Sequence, residues 1–397
     1  MVSVVVVGAG AAGLMAAKTL IDGGVSDVVV LEANNIIGGR LKKTNFVDFP
    51  IDLGGQWIQP VAGDSVSDIL DNLLNGTRPK VSLRTIQHSY DPVQVWDGSE
   101  FYQTRHFTQD HLWVNYTWFD FFNDNIAIPS VIQLNCVVEM VDTTDVDVVT
   151  SCQDGRTFAS DHVIITTSIQ VLQDGIIAFV PALPSDVLGA IAGYTLANAL
   201  KVFVEFSSKF YPDAFLTEQD CDVASDENER LFWSESFGEE SSSNVLGLFT
   251  IGPSAEQYSD VSTNDEALLG LRGTQLDDIF GEGVFSANYL QHVVQDWSKE
   301  PYVRAGYTVN VNNWPRPIQV LSTPTADGKI MFAGEGIPPN ADSWGFVHWA
   351  AYSGRRAAMQ ILDAESVEPV VSSSRQLAGH LMLLSAEILL TLLMLAV

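Results

Sequence analysis

Positive charge is scarce in this chain. Lys and Arg together number 20 against 49 Asp and Glu, a formal net charge of −29. Such a field repels nucleic acid and draws in cations, although a soluble acidic surface needs no other purpose. Cysteine is scarcer still. The 3 present, Cys136, Cys152 and Cys221, show no metal-ligand spacing and cannot all pair, so they read as buried thiols and leave the redox compartment open. Internal repeats and low-complexity runs are missing, and a chain 46% hydrophobic and 17% charged is neither disordered nor a coiled coil. A leader is missing too, since Met1 is followed at once by a strand pattern, Val2 to Val7. The one long apolar run lies at the other end, from Leu381 to Val397, interrupted by Ser385, Glu387 and Thr391 and preceded by Ser372, Ser373 and Ser374. It reads as a membrane anchor, as a lipid-anchor signal, or as an amphipathic helix docked on the body; Glu387 weighs against membrane depth. The sequons Asn75-Gly76-Thr77 and Asn115-Tyr116-Thr117 suit a secretory protein, whereas the missing leader suits the cytoplasm. The sequence assigns no compartment.

What is present is enough for two domains with a sizeable core, at 397 residues. The expected elements are strands at Val2 to Val7, Asp27 to Glu32, Gln133 to Val141, Val146 to Gln153, His162 to Thr166, Ala199 to Phe206 and Ile330 to Ala333. Helices are expected from Ala11 to Asp22, Asp265 to Phe280 and Gly345 to Leu362. The turn Asp142 to Asp145 closes a hairpin, and residues 61–130 are polar and aromatic with weak helix signals.

The sharpest local signal is Gly8-Ala9-Gly10-Ala11-Ala12-Gly13, set between a strand and a helix. Gly8 permits the tight turn, Gly10 the approach of a pyrophosphate, and Gly13 close helix–strand packing, while the helix N-terminus aims free N–H groups at phosphate. Glu32 closes the second strand, where a carboxylate takes ribose hydroxyls and disfavours a 2′-phosphate. Triplet, strand, helix and acid together specify a dinucleotide site. They do not choose between nicotinamide and flavin.

The continuation does. Leu31-Glu32-Ala33, Gly38-Gly39-Arg40 and Asp52-Leu53-Gly54-Gly55-Gln56-Trp57 resemble the flavin-containing amine oxidase family, and within it the polyamine oxidases. The resemblance implies an α/β fold in which a Rossmann-like FAD domain is assembled from 1–60, 131–183 and 325–365. A smaller α+β substrate domain on a mixed sheet would come from 61–130 and 184–324, with 366–397 as a tail. It further implies that Ala12, Ala33, Gly39 and Arg40 hold the diphosphate side of FAD, and that Gly54, Gly55, Gln56 and Trp57 run beside the flavin. Val138, within Leu134-Asn135-Cys136-Val137-Val138, would meet the adenine. Trp297 flanks the ring, Gly334 and Glu335 sit at the ribityl chain, and the Val347 N–H faces the pyrimidine end, where it stabilises charge on reduced flavin.

Lys201 interrupts an otherwise apolar strand, so its amine either reaches solvent at an edge or points into a cavity. The resemblance favours the cavity, with Lys201 linked through water to flavin N5. It also makes Tyr307 and Phe346 two walls of an aromatic slot. The implied reaction is hydride transfer from the carbon beside an amine nitrogen to flavin, imine hydrolysis, and reoxidation by O2 to H2O2. The expected partners are an amine, with a polyamine leading, and O2, with no metal, no nucleic acid, a monomeric chain and a membrane only through the tail. No cysteine lies in the C-terminal flavin segment to form a thioether.

Departures from the family pattern concern substrate. Where a tunnel carboxylate is expected the chain has Gln59, and Asp120 and Asp124 are the remaining candidates, in poor register. Between Ala127 and Gln133 the chain runs straight on, where relatives insert a substrate-domain segment. Two alternatives therefore stand beside the amine oxidase: a catalytically silent or truncated flavin-fold protein, and a non-amine oxidase of the same superfamily.

Overall fold

The computed structural model describes residues 2–60, 64–80, 83–89, 93–104, 109–217, 230–259, 265–339 and 344–366. Met1–Gln360 form one unit, and a second unit begins at Ile361, described only through the end of the helix Val347–Ser366. The apolar tail and Cys221 lie outside the described residues, and no described helix is long and apolar enough to cross a membrane.

A five-stranded parallel sheet has the order Ile330–Phe332, His162–Ile165, Ser3–Val7, Asp27–Leu31, Ile132–Gln133. Val4 to Val7 are all buried, the uninterrupted apolar run that a strand covered on both faces requires. The helix Ala11–Asp22 leaves the first strand through the glycine turn. A side chain at Gly13 could not be accommodated, because its Cβ would stand 1.9 Å from the Gly8 carbonyl oxygen. Close packing of helix on strand at this point therefore demands glycine.

The expected strand from Gln133 to Val141 is two strands. Asn135 adopts a left-handed φ of 55°, and the chain leaves the parallel sheet after Gln133 to enter a four-stranded sheet at Val138–Asp142. The reading of Cys136 and Cys152 as free thiols is also corrected. The two are joined in a disulfide, with Cα atoms 5.5 Å apart, that ties this crossing point to the strand Val148–Cys152. Nothing in their linear spacing announced the pair, because pairing follows from spatial approach.

A seven-stranded sheet, order Tyr289–Asp296, Ala199–Phe206, Asn244–Ile251, Arg230–Ser234, Ala214–Thr217, Val93–Trp96, Phe101–Thr104, is antiparallel except where Ala214–Thr217 meets Val93–Trp96. Alternation along Ala199–Phe206 decides the placement of its lysine. Leu200, Val202, Val204 and Phe206 pack with Phe215, Phe232 and Leu276 on one face. Phe203 packs on the other face with Phe49, Ile51 and Leu53. Lys201, two residues from Phe203, shares that second face and is aimed at the segment after Leu53. Neighbours on both sides rule out the edge reading, and Lys201 is 2% exposed.

Candidate active site

A single cavity of about 870 Å³ is lined by the glycine turn (Gly8, Gly10, Ala12), by Glu32, Ala33, Gly39 and Arg40, and by Gly54 to Trp57. Val138, Lys201, Trp297, Tyr307, Gly334, Glu335, Phe346 and Val347 line it as well. Segments far apart in sequence thus converge on one space. Of the proposed cofactor contacts only Gly13 stands back from the lining, where it supports the turn.

At the turn, Glu32 receives the Ala9 N–H at 2.7 Å and the Asn34 N–H at 2.9 Å. The acid holds the glycine turn in place while lining the cavity; burial pushes its pKa up against the pull of those donors. Arg40 donates from Nη1 to the Gly306 carbonyl at 2.6 Å and to Glu335 at 3.1 Å. A guanidinium carries five donors, so Nη2 and Nε are left to meet an anion. Glu335 also accepts from the Thr308 N–H at 3.2 Å and hydroxyl at 3.1 Å, which fixes the Arg40 fork from behind. Gly54 is squeezed between the Arg40 carbonyl, 1.8 Å from where its Cβ would be, and Trp297. The glycine is therefore demanded first by the protein's own backbone.

Lys201 donates to the Gln56 side-chain oxygen at 2.7 Å and the Gly54 carbonyl at 2.8 Å, with the Asp52 carbonyl at 3.4 Å. Burial lowers its pKa to about 8, while Glu235 and then Asp52 pull it back up. Its ammonium lies over the Trp57 ring. Tyr307 is stacked with Phe249, ring centres 6.4 Å apart, and Phe346 with His348 at 5.5 Å. Phe249 lines the cavity beside Tyr307 and was not singled out in the sequence, where it is one aromatic in a buried strand.

The carboxylate candidates need correction. Asp120 and Asp124 do not line the cavity. The helix Trp118–Asn125 buries Trp118, Phe121 and Phe122 on one face, and Asp120 and Asp124, four residues apart, share another. Asp120 accepts from the hydroxyl of Thr117, the residue that caps the helix, at 2.7 Å and pairs with Lys43, and Asp124 accepts from the Tyr116 hydroxyl at 2.9 Å. Besides Glu32 and Glu335, the cavity is lined by the carboxyl of Asp110, whose side chain bonds Gln59, itself in the lining. Burial raises Asp110 to about 6. Its polar neighbourhood in sequence gave no sign of this.

A family model of flavin containing amine oxidoreductases matches residues 11–116 and 122–362. The chain belongs to that family. Polyamine oxidase 1 of Zea mays is 24% identical over 461 residues, covering 88% of each chain. That alignment is longer than the 397 residues present here, so the relative carries residues with no counterpart in this chain. Among solved structures, putrescine oxidase bound to putrescine superposes with TM-score 0.71 at 15% identity, over 91% of this chain and 99% of that one. Cyclohexylamine oxidase from Brevibacterium oxydans superposes with TM-score 0.72 at 17% identity, over 92% and 99%. The fold of this oxidoreductase is thus the mixed α/β fold of those enzymes, and its cofactor is FAD. The residues present fit that cofactor: a glycine turn at a helix start, a buried acid beside it, an arginine with donors to spare, and one shared lining that includes Lys201.

Proposed function

We propose that this amine oxidase acts on a di- or polyamine. The observation that carries the reading is that one cavity holds both Lys201 with its aromatic neighbours and, beyond them, the Asp110–Gln59 pair. Bound FAD would supply the oxidising chemistry, acceptance of a hydride from the carbon beside the amine nitrogen and transfer of the two electrons to O2 as H2O2, leaving an imine that water hydrolyses. The protein's residues supply the rest. Trp57, Phe249, Tyr307 and Phe346 offer apolar faces to a slim aliphatic chain and exclude water. Lys201, its donors held by Gln56, Gly54 and Asp52, brings a positive charge to the reacting end, and Asp110, once ionised, attracts a second ammonium. The overall charge of −29 favours the approach of such a cation. The names of similar proteins, polyamine oxidase and putrescine oxidase, agree with this substrate class.

The test is the visible flavin spectrum of the purified protein before and after anaerobic addition of spermine, spermidine or putrescine. Bleaching of the flavin band, followed by peroxide on admitting air, is expected. A bound flavin that no amine bleaches would instead establish a silent flavin-fold protein, and bleaching by a non-amine alone would move the chain to another oxidase class.

A further inference from the structure

Glu235 is buried one residue beyond the strand Arg230–Ser234 and does not line the cavity, yet it is connected to it. Its Oε2 accepts from the Gln56 side-chain nitrogen at 2.6 Å and from the Trp233 indole N–H. The other end of the same amide, Gln56 Oε1, accepts from Lys201 Nζ at 2.7 Å. A primary amide has one donor end and one acceptor end. With a carboxylate on one side and an ammonium on the other, only one orientation satisfies both, so ionised Glu235 fixes Gln56 to present its oxygen to Lys201.

The remaining partners of Lys201 are the Gly54 and Asp52 carbonyls, which are neutral. Among the described residues no carboxylate oxygen lies within ion-pair distance of Lys201. An isolated ammonium buried among Trp57, Phe203 and Trp233 is costly, and a counter-charge one amide away offsets part of that cost.

We propose that Glu235 is a positioning residue that acts through Gln56 as the counter-charge of Lys201, holding it as an ammonium donor and setting the pH at which it gives up its proton. The role of that proton in flavin chemistry rests on the amine-oxidase reading above; the assignment of the counter-charge does not. The charged groups facing the pair are few. Asp52 offers its carboxyl from the segment below Lys201, with Oδ2 on the Trp118 N–H at 3.2 Å and Oδ1 without a hydrogen-bond partner. Burial pushes the Asp52 carboxyl well above its ordinary value, and no hydrogen bond joins that carboxyl to Lys201 or Gln56, whereas Glu235 is bonded to Gln56. Asp120 stands behind Asp52, and Glu239 behind Glu235, both raising their neighbour. Burial raises Glu235 to about 7, with Lys201 the largest opposing influence.

The experiment uses the full chain, flavin-loaded as purified and labelled with 13C at lysine Cε, with the Lys201 signal assigned by its loss in Lys201→Met. Titration toward alkaline pH is compared for the unaltered protein, Glu235→Gln and Asp52→Asn. Glu235→Gln keeps the shape and the acceptor for Gln56 but not the charge, and the Lys201 midpoint is expected to fall by about one unit or more. Asp52→Asn is expected to move it less. An unmoved midpoint in Glu235→Gln, or an equal or larger shift in Asp52→Asn, overturns the assignment. Should Glu235→Gln not fold, Gln56→Met cuts the link while leaving both charges, and there too the midpoint must fall for the proposal to stand. The pH profile of flavin reoxidation is expected to move with the lysine midpoint. If the midpoint shifts as stated while no amine reduces the flavin, the substrate reading fails and the counter-charge survives.

Discussion

The ammonium of Lys201 stands 4.7 Å from the centre of the Trp57 ring, inside a cavity that both residues line. A cation over an indole face is held by the ring quadrupole and keeps its hydrogen-bond donors free to point elsewhere. The charge of Lys201 is thus a built feature of the site, and its removal has a definite consequence. Lys201→Met retains the apolar stem but removes every donor. We expect flavin to stay bound and its reaction with O2 to slow by about a hundredfold or more. Stopped-flow mixing of reduced protein with oxygenated buffer reads this directly, and unchanged rates would remove Lys201 from the oxygen reaction.

Glu32 serves two neighbours at once, the Ala9 and Asn34 N–H groups. Glu32→Ala leaves both donors buried without an acceptor, at a cost of about 1–3 kcal/mol, and takes away the acid expected to meet the ribose. FAD retention after gel filtration, measured as the ratio of visible to protein absorbance, is expected to drop at least about tenfold. Full occupancy would undo the assignment of the ribose site.

His348 provides a pH test of stability. Buried at the start of the helix Val347–Ser366 with Nε2 unpartnered, it is held neutral, its pKa lowered to about 4 by burial. The unfolded chain binds a proton near the ordinary value of about 6.5, so the unfolded state gains protons first and stability falls as pH drops through this window. Between pH 7 and pH 5 the loss is about 2 kcal/mol. His348→Leu is expected to flatten that dependence in urea titrations at the two pH values; an undiminished slope would assign it to other groups.

Asp110 bears on selectivity. Since its carboxyl titrates at about 6, it is ionised above that pH and neutral below. Preference for a diamine over a monoamine of equal length should weaken as pH falls through this value. Asp110→Asn should raise KM for the diamine by about tenfold, leave the monoamine little changed and abolish the pH dependence. Equal effects on both amines would place Asp110 outside substrate binding.

How much of this was legible in the sequence depended on range. The glycine turn, the helix Ala11–Asp22 and the strand Ala199–Phe206 are written in local periodicity and turn chemistry, and their bounds could be read directly. The position of Lys201 in that strand was visible too, but its choice between solvent and cavity depended on flanking strands more than forty residues away. Glu235 and Asp110 were invisible because neither sits in a motif. Each matters only through a side chain from another strand or loop, Gln56 in one case and Gln59 in the other. Asp120 and Asp124 misled for the converse reason. They stand at the right distance along the chain, but helical phase turns them from the buried face of Trp118, Phe121 and Phe122.

The continuous hollow that reaches from Glu32 to Asp110 carries a consequence for selectivity. One lining encloses both the residues expected to hold the nucleotide and those proposed to meet the amine, so a bound flavin would form part of the substrate compartment. On the reading proposed above, selectivity for amines is therefore to be measured on the flavin-loaded protein, because cofactor and amine would share one space.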